Sequence, residues 1–559
     1  MRAHAKLAAG ASLAALAAAA PAAAQEAIEV PEIVVSGGLT PVPVSEYGRA
    51  YTVITAEEIE RRQLAHVADV LRTVPGVSVT RTGSVGGNTV VRIRGSESNH
   101  ALVLIDGVEV NAPENGEYDF AGLLAADIAR IEVLRGPQSA LYGGDALGGV
   151  ISIVTKGAEE PGVTAGGSLE GGTDETFGGD AFVRARTERG AISFSIAGRR
   201  TGGFDISGSP SNIEDRDANV TANLKGELDA ADWLTLGGTL RLTERSSDFD
   251  GFEFGAPTVQ GLVVERDLAR ERTELFGSAF ADISTLGGRL THGARISYTH
   301  ADDQNLTDGV VDTDTTATRL SLDWRSTLAL DAPTLGAADH TLTLAADFER
   351  ETFTYNGADL VFDPSQLDVQ ERNLFGLVGE YRGTFLEALD VQLGVRHDFN
   401  DDFEDATTFS AGLAYRVAAT DTRLHASVGR GVQNPTFFEQ FGFIPDQFLP
   451  NPDLEPEESF GWDIGVEQTL LDGRAVVDVT YFRQDLENEI VTVFPPPDFI
   501  GTVVNEEGES ERQGVEVSAD LTPLDGLSLR LTYTYTAADD PDGAREVRRP
   551  RHQAGLTAT

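Results

Sequence analysis

Beyond Gly162 the chain alternates apolar and polar residues with a period of two. Leu527, Leu529, Leu531, Tyr533 and Tyr535 interleave with Ser528, Arg530, Thr532 and Thr534. Leu234, Leu236, Leu240 and Leu242 interleave with Thr235, Thr239, Arg241 and Thr243, and Val391, Leu393 and Val395 with Gln392, Gly394 and Arg396. Successive side chains of a strand point to opposite faces, so each run of about ten residues has one apolar and one polar face, the pattern of a transmembrane β-barrel. A soluble sandwich alternates as well, so one run decides little and repetition decides more. The connections at 187–190, 229–232 and 471–473 are tight, whereas 202–217, 244–267 and 434–456 are long and acidic. Short periplasmic turns and long outer loops give that contrast.

The stretch 51–156 has a different texture. Its short apolar runs at 52–55, 101–105, 131–133 and 150–154 are rich in β-branched residues and bounded by Gly or Asp, which predicts strands. Ile59, Leu64, Val67, Val70 and Leu71 fall near helical spacing within 56–72. Thr55 is placed to cap that helix, Glu57 and Glu58 sit in the first turn where the helix dipole favours acid, and Pro75-Gly76 ends it. Asp106-Gly107 between two apolar runs is a hairpin turn. This is a small α/β domain and not a membrane span.

Residues 1–24 carry Arg2 and Lys6, an Ala/Leu run and then Ala22-Ala23-Ala24, the layout of a secretory signal peptide. The run is too short for a retained membrane helix. The chain has no Cys, which excludes disulfides, thiolate metal sites, cysteine catalysis and a lipoprotein anchor. With 89 Asp+Glu against 43 Lys+Arg, the formal net charge of −46 argues against nucleic-acid binding. The nine His show no metal-ligand spacing, Ser139 lacks a nucleophile elbow and the glycines at 143–149 lack a phosphate-loop ending, so an enzyme is not expected.

Within 51–156, Leu71-Arg72-Thr73-Val74-Pro75-Gly76-Val77, Val91-Arg92-Ile93-Arg94-Gly95 and Val103-Leu104-Ile105-Asp106-Gly107-Val108 follow one another in that order. Ile131-Glu132-Val133-Leu134-Arg135-Gly136-Pro137-Gln138-Ser139-Ala140-Leu141-Tyr142-Gly143 and Gly148-Gly149-Val150-Ile151 close the stretch. Order and spacing resemble the plug of a TonB-dependent outer-membrane receptor, and within that superfamily the cobalamin (vitamin B12) transporter family. The resemblance implies a transmembrane β-barrel with an N-terminal α/β plug domain inside its lumen. Its divisions would be a signal peptide at 1–24, an extension with a TonB box at 25–45, the plug at 46–157 and the barrel at 158–559. About eighteen strand candidates are present where such a barrel needs about 22, and the chain stops within an alternating run, so a C-terminally incomplete barrel is expected.

The same resemblance assigns roles to residues. Glu32, Ile33, Val34, Val35 and Ser36 read alone as an ordinary first strand; before a plug they are similar to the TonB box that the energy-coupling protein TonB captures by strand addition. The flexible 37–44 stretch, rich in Gly and Pro, would let the box leave the barrel. Arg92, Arg94 and Arg135 read either as solvated surface charge or, with the plug in a lumen, as partners of acids on the wall. Asn88, Val90, Glu97, Asn115 and Gly116 would face the ligand at the plug apex. Asp205, Asp215, Asp217 and Asp250 match a calcium-binding aspartate cluster in type, with either Glu265 or Asp267 as a last ligand and Phe249 where the family has tyrosine. The alternative is that these acidic loops are merely solvated. The expected protein is a monomeric outer-membrane transporter of cobalamin that works with TonB. A ferric siderophore or other metal chelate is the rival ligand, and a passive porin or surface adhesin the rival class.

Overall fold

The computed structural model describes residues 33–34, 36–207, 213–253, 262–357, 364–442 and 448–559; residues 1–24, where a signal peptide is expected, lie outside them. The N-terminal part runs β1 (Ile33–Val34), β2 (Val42–Pro43), β3 (Tyr51–Thr55), α1 (Ala56–Arg62), α2 (Val67–Leu71), β4 (Val77–Arg81), β5 (Thr89–Ile93), β6 (Ala101–Ile105), β7 (Val108–Glu109), β8 (Ile128–Arg135), α3 (Ser139–Tyr142) and β9 (Gly149–Thr155). Five strands form a mixed sheet in the order β3-β8-β9-β6-β7, with β6 and β9 parallel, and β4-β5 is a separate hairpin. Alternation along β6 and β8 divides the core in two. Val103, Ile105, Ile131 and Val133 pack with α1 and α2, while Leu102, Leu104 and Leu134 face a second cluster around Tyr47. The sheet is therefore covered on both faces, which its continuous apolar runs require.

Local signals explain the helices, with one difference. The Thr55 hydroxyl accepts from the Glu58 amide at 3.4 Å, and Asp106-Gly107 turns between the paired β6 and β7. The single helix expected over 56–72 is two helices, because Gln63 adopts φ 52°, a left-handed conformation that breaks the helical hydrogen bonds. Ile59 before the break and Val67, Val70 and Leu71 after it still enter the same core cluster.

The rest is β: β10 (Gly162–Gly171), β11 (Phe177–Arg186), β12 (Gly190–Thr201), β13 (Asp217–Ala231), β14 (Leu234–Phe252), β15 (Val263–Thr285), β16 (Leu290–Thr307), β17 (Val310–Ala329), β18 (His340–Tyr355) and β19 (Gln370–Phe385). There follow β20 (Leu389–Asn400), β21 (Ala406–Val417), β22 (Thr422–Gln433), α4 (Phe437–Phe441), β23 (Glu457–Leu470), β24 (Ala475–Glu487), the outer hairpin β25 (Ile490–Val493) and β26 (Thr502–Asn505), then β27 (Glu509–Leu524), β28 (Leu527–Asp539) and β29 (His552–Ala558). All but β25 and β26 form one antiparallel sheet of eighteen strands in chain order, and among the described residues no pairing joins β10 to β29. The apolar face points outward: Leu393 and Val395 are 46% and 51% exposed, while Gln392 and Arg396, which flank them, are 6% and 3% exposed. That inversion suits a wall against lipid and a polar lumen. The contrast in connection length is weaker than the sequence suggested. Most of 244–267 belongs to β14 and β15, and the outer connection between β16 and β17 is only Asp308-Gly309, because strands run well past the membrane before turning.

The small domain lies inside the curve of this sheet and is touched from β11 round to β29. Asp127 meets Arg184 of β11 at 3.1 Å, Asp106 meets Lys225 of β13 at 2.7 Å, and Asp119 meets Arg245 of β14 at 2.8 Å. Glu109 meets Arg319 of β17 at 2.8 Å. Arg423 of β22 donates to the Tyr47 carbonyl at 2.8 Å, and Gln553 of β29 to the Val77 carbonyl at 3.2 Å. On the β23–β27 side the charges are reversed. Arg94 donates from Nε and Nη2 to both oxygens of Glu516 at 3.0 Å and from Nη1 to Asp463 at 3.1 Å, over the Phe482 ring. Arg135 lies 3.2 Å from Glu516, and His100 Nε2 is 2.8 Å from Glu457. The plug thus presents acid to a basic wall and base to an acidic wall, which fixes its rotation in the lumen. Burial opposes the charge on Arg94, but Glu516 and Asp463 outweigh it and raise its pKa.

Arg92 does not join this set. It donates to Thr80 within the plug and, among the described residues, makes no ion pair. The reason is backbone direction: Arg92 lies inside β5 opposite Ser78, whereas Arg94 follows the strand with φ 54° and swings to the wall. Arg94→Met should leave the Asp463 carboxylate facing the Ser427 hydroxyl without a cation. We expect faster hydrogen exchange in β8 and β9, equivalent to about 3–5 kcal/mol of lost seating, with partial recovery when Asp463→Asn and Glu516→Gln are added. Unchanged exchange in the single variant would contradict this role.

Candidate functional site

At the plug's outer end two loops stand up beside the wall. Residues 82–88 join β4 to β5, and residues 110–119 follow β7. The second loop is braced by buried Asn111, whose Oδ1 accepts from the Val103 amide at 2.7 Å and whose Nδ2 donates to the carbonyls of Ala101 and Gly116. Asn115 is exposed in the second loop, and Asn88 is exposed at the base of the first, where its carbonyl accepts from the Thr82 amide at 2.9 Å. The other three residues expected to face the ligand sit differently. Val90 is buried within β5, Glu97 pairs with Arg549, and Gly116 is covered by the Thr436 methyl group.

That cover comes from α4, in the long connection between β22 and β23. Thr436 and Glu439 form a reciprocal capping box, the Phe438 amide donates to the Glu114 carbonyl at 2.7 Å, and Arg372 donates to the Pro435 carbonyl at 2.6 Å. Phe437 packs with Phe353 and Tyr355 on the wall. The stretch 451–457 leads into β23 and ties the plug to the outer hairpin. Glu457 anchors His100 of the plug with one oxygen and the Ile490 amide of the outer hairpin with the other. His100 is fully buried; burial lowers its pKa, yet Glu457 outweighs this and raises it.

The aspartate cluster forms where the 202–216 loop meets the outer ends of β14 and β15, with a changed membership. Ligand-capable oxygens of Asp205, Asp250 and Glu265 lie within 4.8 Å of one another. Asp250 and Asp215 are buried, and Oδ2 of each has no hydrogen-bond partner among the described residues. Burial and the surrounding Asp250, Asp205, Glu265 and Asp248 push the Asp215 carboxyl up to about 7. Crowded carboxylates with vacant lone pairs suit a hard cation. Asp217 is a correction: the first residue of β13, it pairs with Arg245 of the neighbouring strand at 3.1 Å and leaves the cluster. Of the two candidates for the last ligand, Glu265 is the one that joins.

At the opposite end of the plug, Ile33 and Val34 form β1, paired with Val42 and Pro43 of β2, and Ser36 is buried against Glu132. Glu32 and Val35 lie outside the described residues.

A small domain within a wall of strands is also what the family comparison finds. Residues 163–559 match the family described as TonB dependent receptor-like, beta-barrel, and residues 43–150 match the TonB-dependent Receptor Plug Domain. The chain belongs to the TonB-dependent receptor family. Among curated relatives, the vitamin B12 transporter BtuB of Photobacterium profundum is 28% identical over 524 residues, 91% of this chain and 78% of that protein. The vitamin B12 transporter BtuB of Vibrio vulnificus is 26% identical over 84% of this chain and 72% of its own length. A solved ferric enterobactin receptor, PfeA of Pseudomonas aeruginosa, superposes with a TM-score of 0.75 at 20% identity, covering 92% of this chain and 84% of that one. The siderophore receptor PirA of Acinetobacter baumannii gives 0.71 at 18%, covering 90% and 82%. These likenesses show the fold. The receptor is an outer-membrane transporter and not an enzyme, and receptors of this kind work with TonB.

The α4 cover carries its own titration. Burial, then Glu457, raise Glu439 to about 7. A carboxyl raised by seating favours the seated loop fully below its ordinary value of 4.5, and that contribution is lost as pH climbs through 7. Amide exchange at Gln440 and Gly442, corrected for its intrinsic pH dependence, should therefore quicken about tenfold between pH 5.5 and 8, and Glu439→Gln should flatten the change. Identical profiles for the two proteins would exclude Glu439 as the cause.

Proposed function

We propose that the receptor imports cobalamin, that calcium orders its outer loops through Asp205, Asp250 and Glu265 with Asp215 beside them, and that TonB captures residues 32–36. The observation that carries the ligand reading is the carboxylate cluster, supported by relatives named vitamin B12 transporters that align along most of the chain. Calcium takes six to eight oxygens in irregular geometry, and four carboxylates, two from the 202–216 loop and two from the outer ends of β14 and β15, can supply much of that shell. Neutralising them would draw the 202–216 loop onto the ends of β14 and β15 beside the plug apex. Cobalamin would first meet the plug at exposed Asn88 and Asn115. Reaching Glu97 and Gly116 requires Arg549 and α4 to yield, so loop rearrangement accompanies tight binding.

The inner end supplies the coupling. An extended segment can add as a strand to a partner's sheet edge, and work done on it is transmitted to the plug. The plug is held by polar and ionic contacts, which can be exchanged for water as it shifts, unlike a dry apolar interface.

Two measurements test this reading. Cyanocobalamin should bind the purified receptor at least about tenfold more tightly with calcium than with chelator, and Asp250→Asn should remove the difference. Absence of binding in both conditions removes cobalamin, and impaired growth of a deletion strain under iron limitation would then point to a ferric siderophore. Deleting residues 32–36 should abolish uptake while surface binding persists. Uptake that survives the deletion would contradict active transport and favour a passive porin.

A further inference from the structure

β1 and β2 pair over only two residues each, too few to persist unaided in water. Something else must hold this hairpin, and the contacts concentrate on its turn. On the plug side, Glu132 of β8 accepts from the Ser36 amide at 2.8 Å and from the Ser36 hydroxyl, and the Tyr142 hydroxyl donates to the Ser36 carbonyl at 2.8 Å. On the wall side, Gln392 of β20 donates to the Gly37 carbonyl at 2.9 Å and to Glu380 of β19 at 2.7 Å. Glu380 in turn accepts from the Leu39 amide at 3.2 Å, and Arg382 donates to the Thr40 and Pro41 carbonyls at 3.2 and 2.9 Å. Glu132 and Glu380 are fully buried or nearly so, so these bonds form away from competing water.

We infer that residues 36–41 are held by two separate clamps, and that the wall clamp of Glu380, Gln392 and Arg382 governs how often the N-terminal strand is presented to its partner. The inference rests on the reading of residues 32–36 as the captured segment and names its restraint. While the turn is clamped, β1 stays beside β2, and the main-chain groups that a partner strand needs are engaged within the chain itself. The plug clamp moves with the plug. The wall clamp ties the same turn to the body that stays fixed, so it must open before any pull reaches β8.

The absence of Cys makes a clean test possible. A single cysteine at Val34 is labelled with a membrane-impermeant maleimide in the folded, cargo-free receptor, with a cysteine at Asp472 in an exposed turn as reference. Glu380→Ala with Gln392→Ala should speed labelling at position 34 about tenfold or more, leaving position 472 unchanged. Leu39→Pro removes the amide donated to Glu380 without touching a wall strand and should raise the rate several-fold, which covers the case where the wall variant fails to fold. Wild-type labelling rates in a folded wall variant, or in Leu39→Pro, overturn the inference. Those outcomes leave the box reading intact, whereas uptake surviving deletion of residues 32–36 would remove that reading regardless of labelling.

Discussion

Arg94 between Glu516 and Asp463 is the interaction on which the arrangement turns. Charges this deeply buried pay a desolvation cost that only close, multiple pairing offsets, and removing one member leaves the others stranded. The plug therefore has one favourable rotation in the lumen. Acids at Asp106, Glu109, Asp119 and Asp127 find bases on β11–β17, and bases at Arg94, His100 and Arg135 find acids on β23–β27. Turning the plug half a circle would set like charges against each other on both sides.

This polarity also reconciles firm seating with transport. An apolar interface of the same area would resist sliding until much of it opened at once. Ion pairs and hydrogen bonds can be exchanged for water one set after another as the plug moves, whereas an apolar seam opens as a unit. The receptor's two ends differ accordingly. Outside, loops and α4 cover part of the apex; inside, a two-residue strand pairs with β2, and its turn is bonded to both plug and wall.

Much of this was legible in the chain. Period-two runs gave the wall, and Thr55, Asp106-Gly107 and the apolar runs at 101–105 and 150–154 gave the plug, because those signals are local. What escaped was non-local. Arg92 and Arg94 look equivalent two residues apart, yet a left-handed backbone at Arg94 sends them to different bodies. Asp217 looks like its neighbour Asp215 until strand register sets it beside Arg245. The break at Gln63 has no glycine to announce it, and Glu457 gains meaning only when β23 brings it over His100.

The central claim is that the plug sits within the strand wall and must shift against it for cargo to pass. Cysteines placed at Asp127 and Ser195, whose native side chains touch across the plug–wall seam, can be joined by a short bifunctional reagent in this cysteine-free chain. With a reductively cleavable reagent, the cross-linked receptor should bind its cargo, cyanocobalamin under the proposed function, at its normal level but take none up until the link is cut. Undiminished uptake by the fully cross-linked receptor would contradict the account.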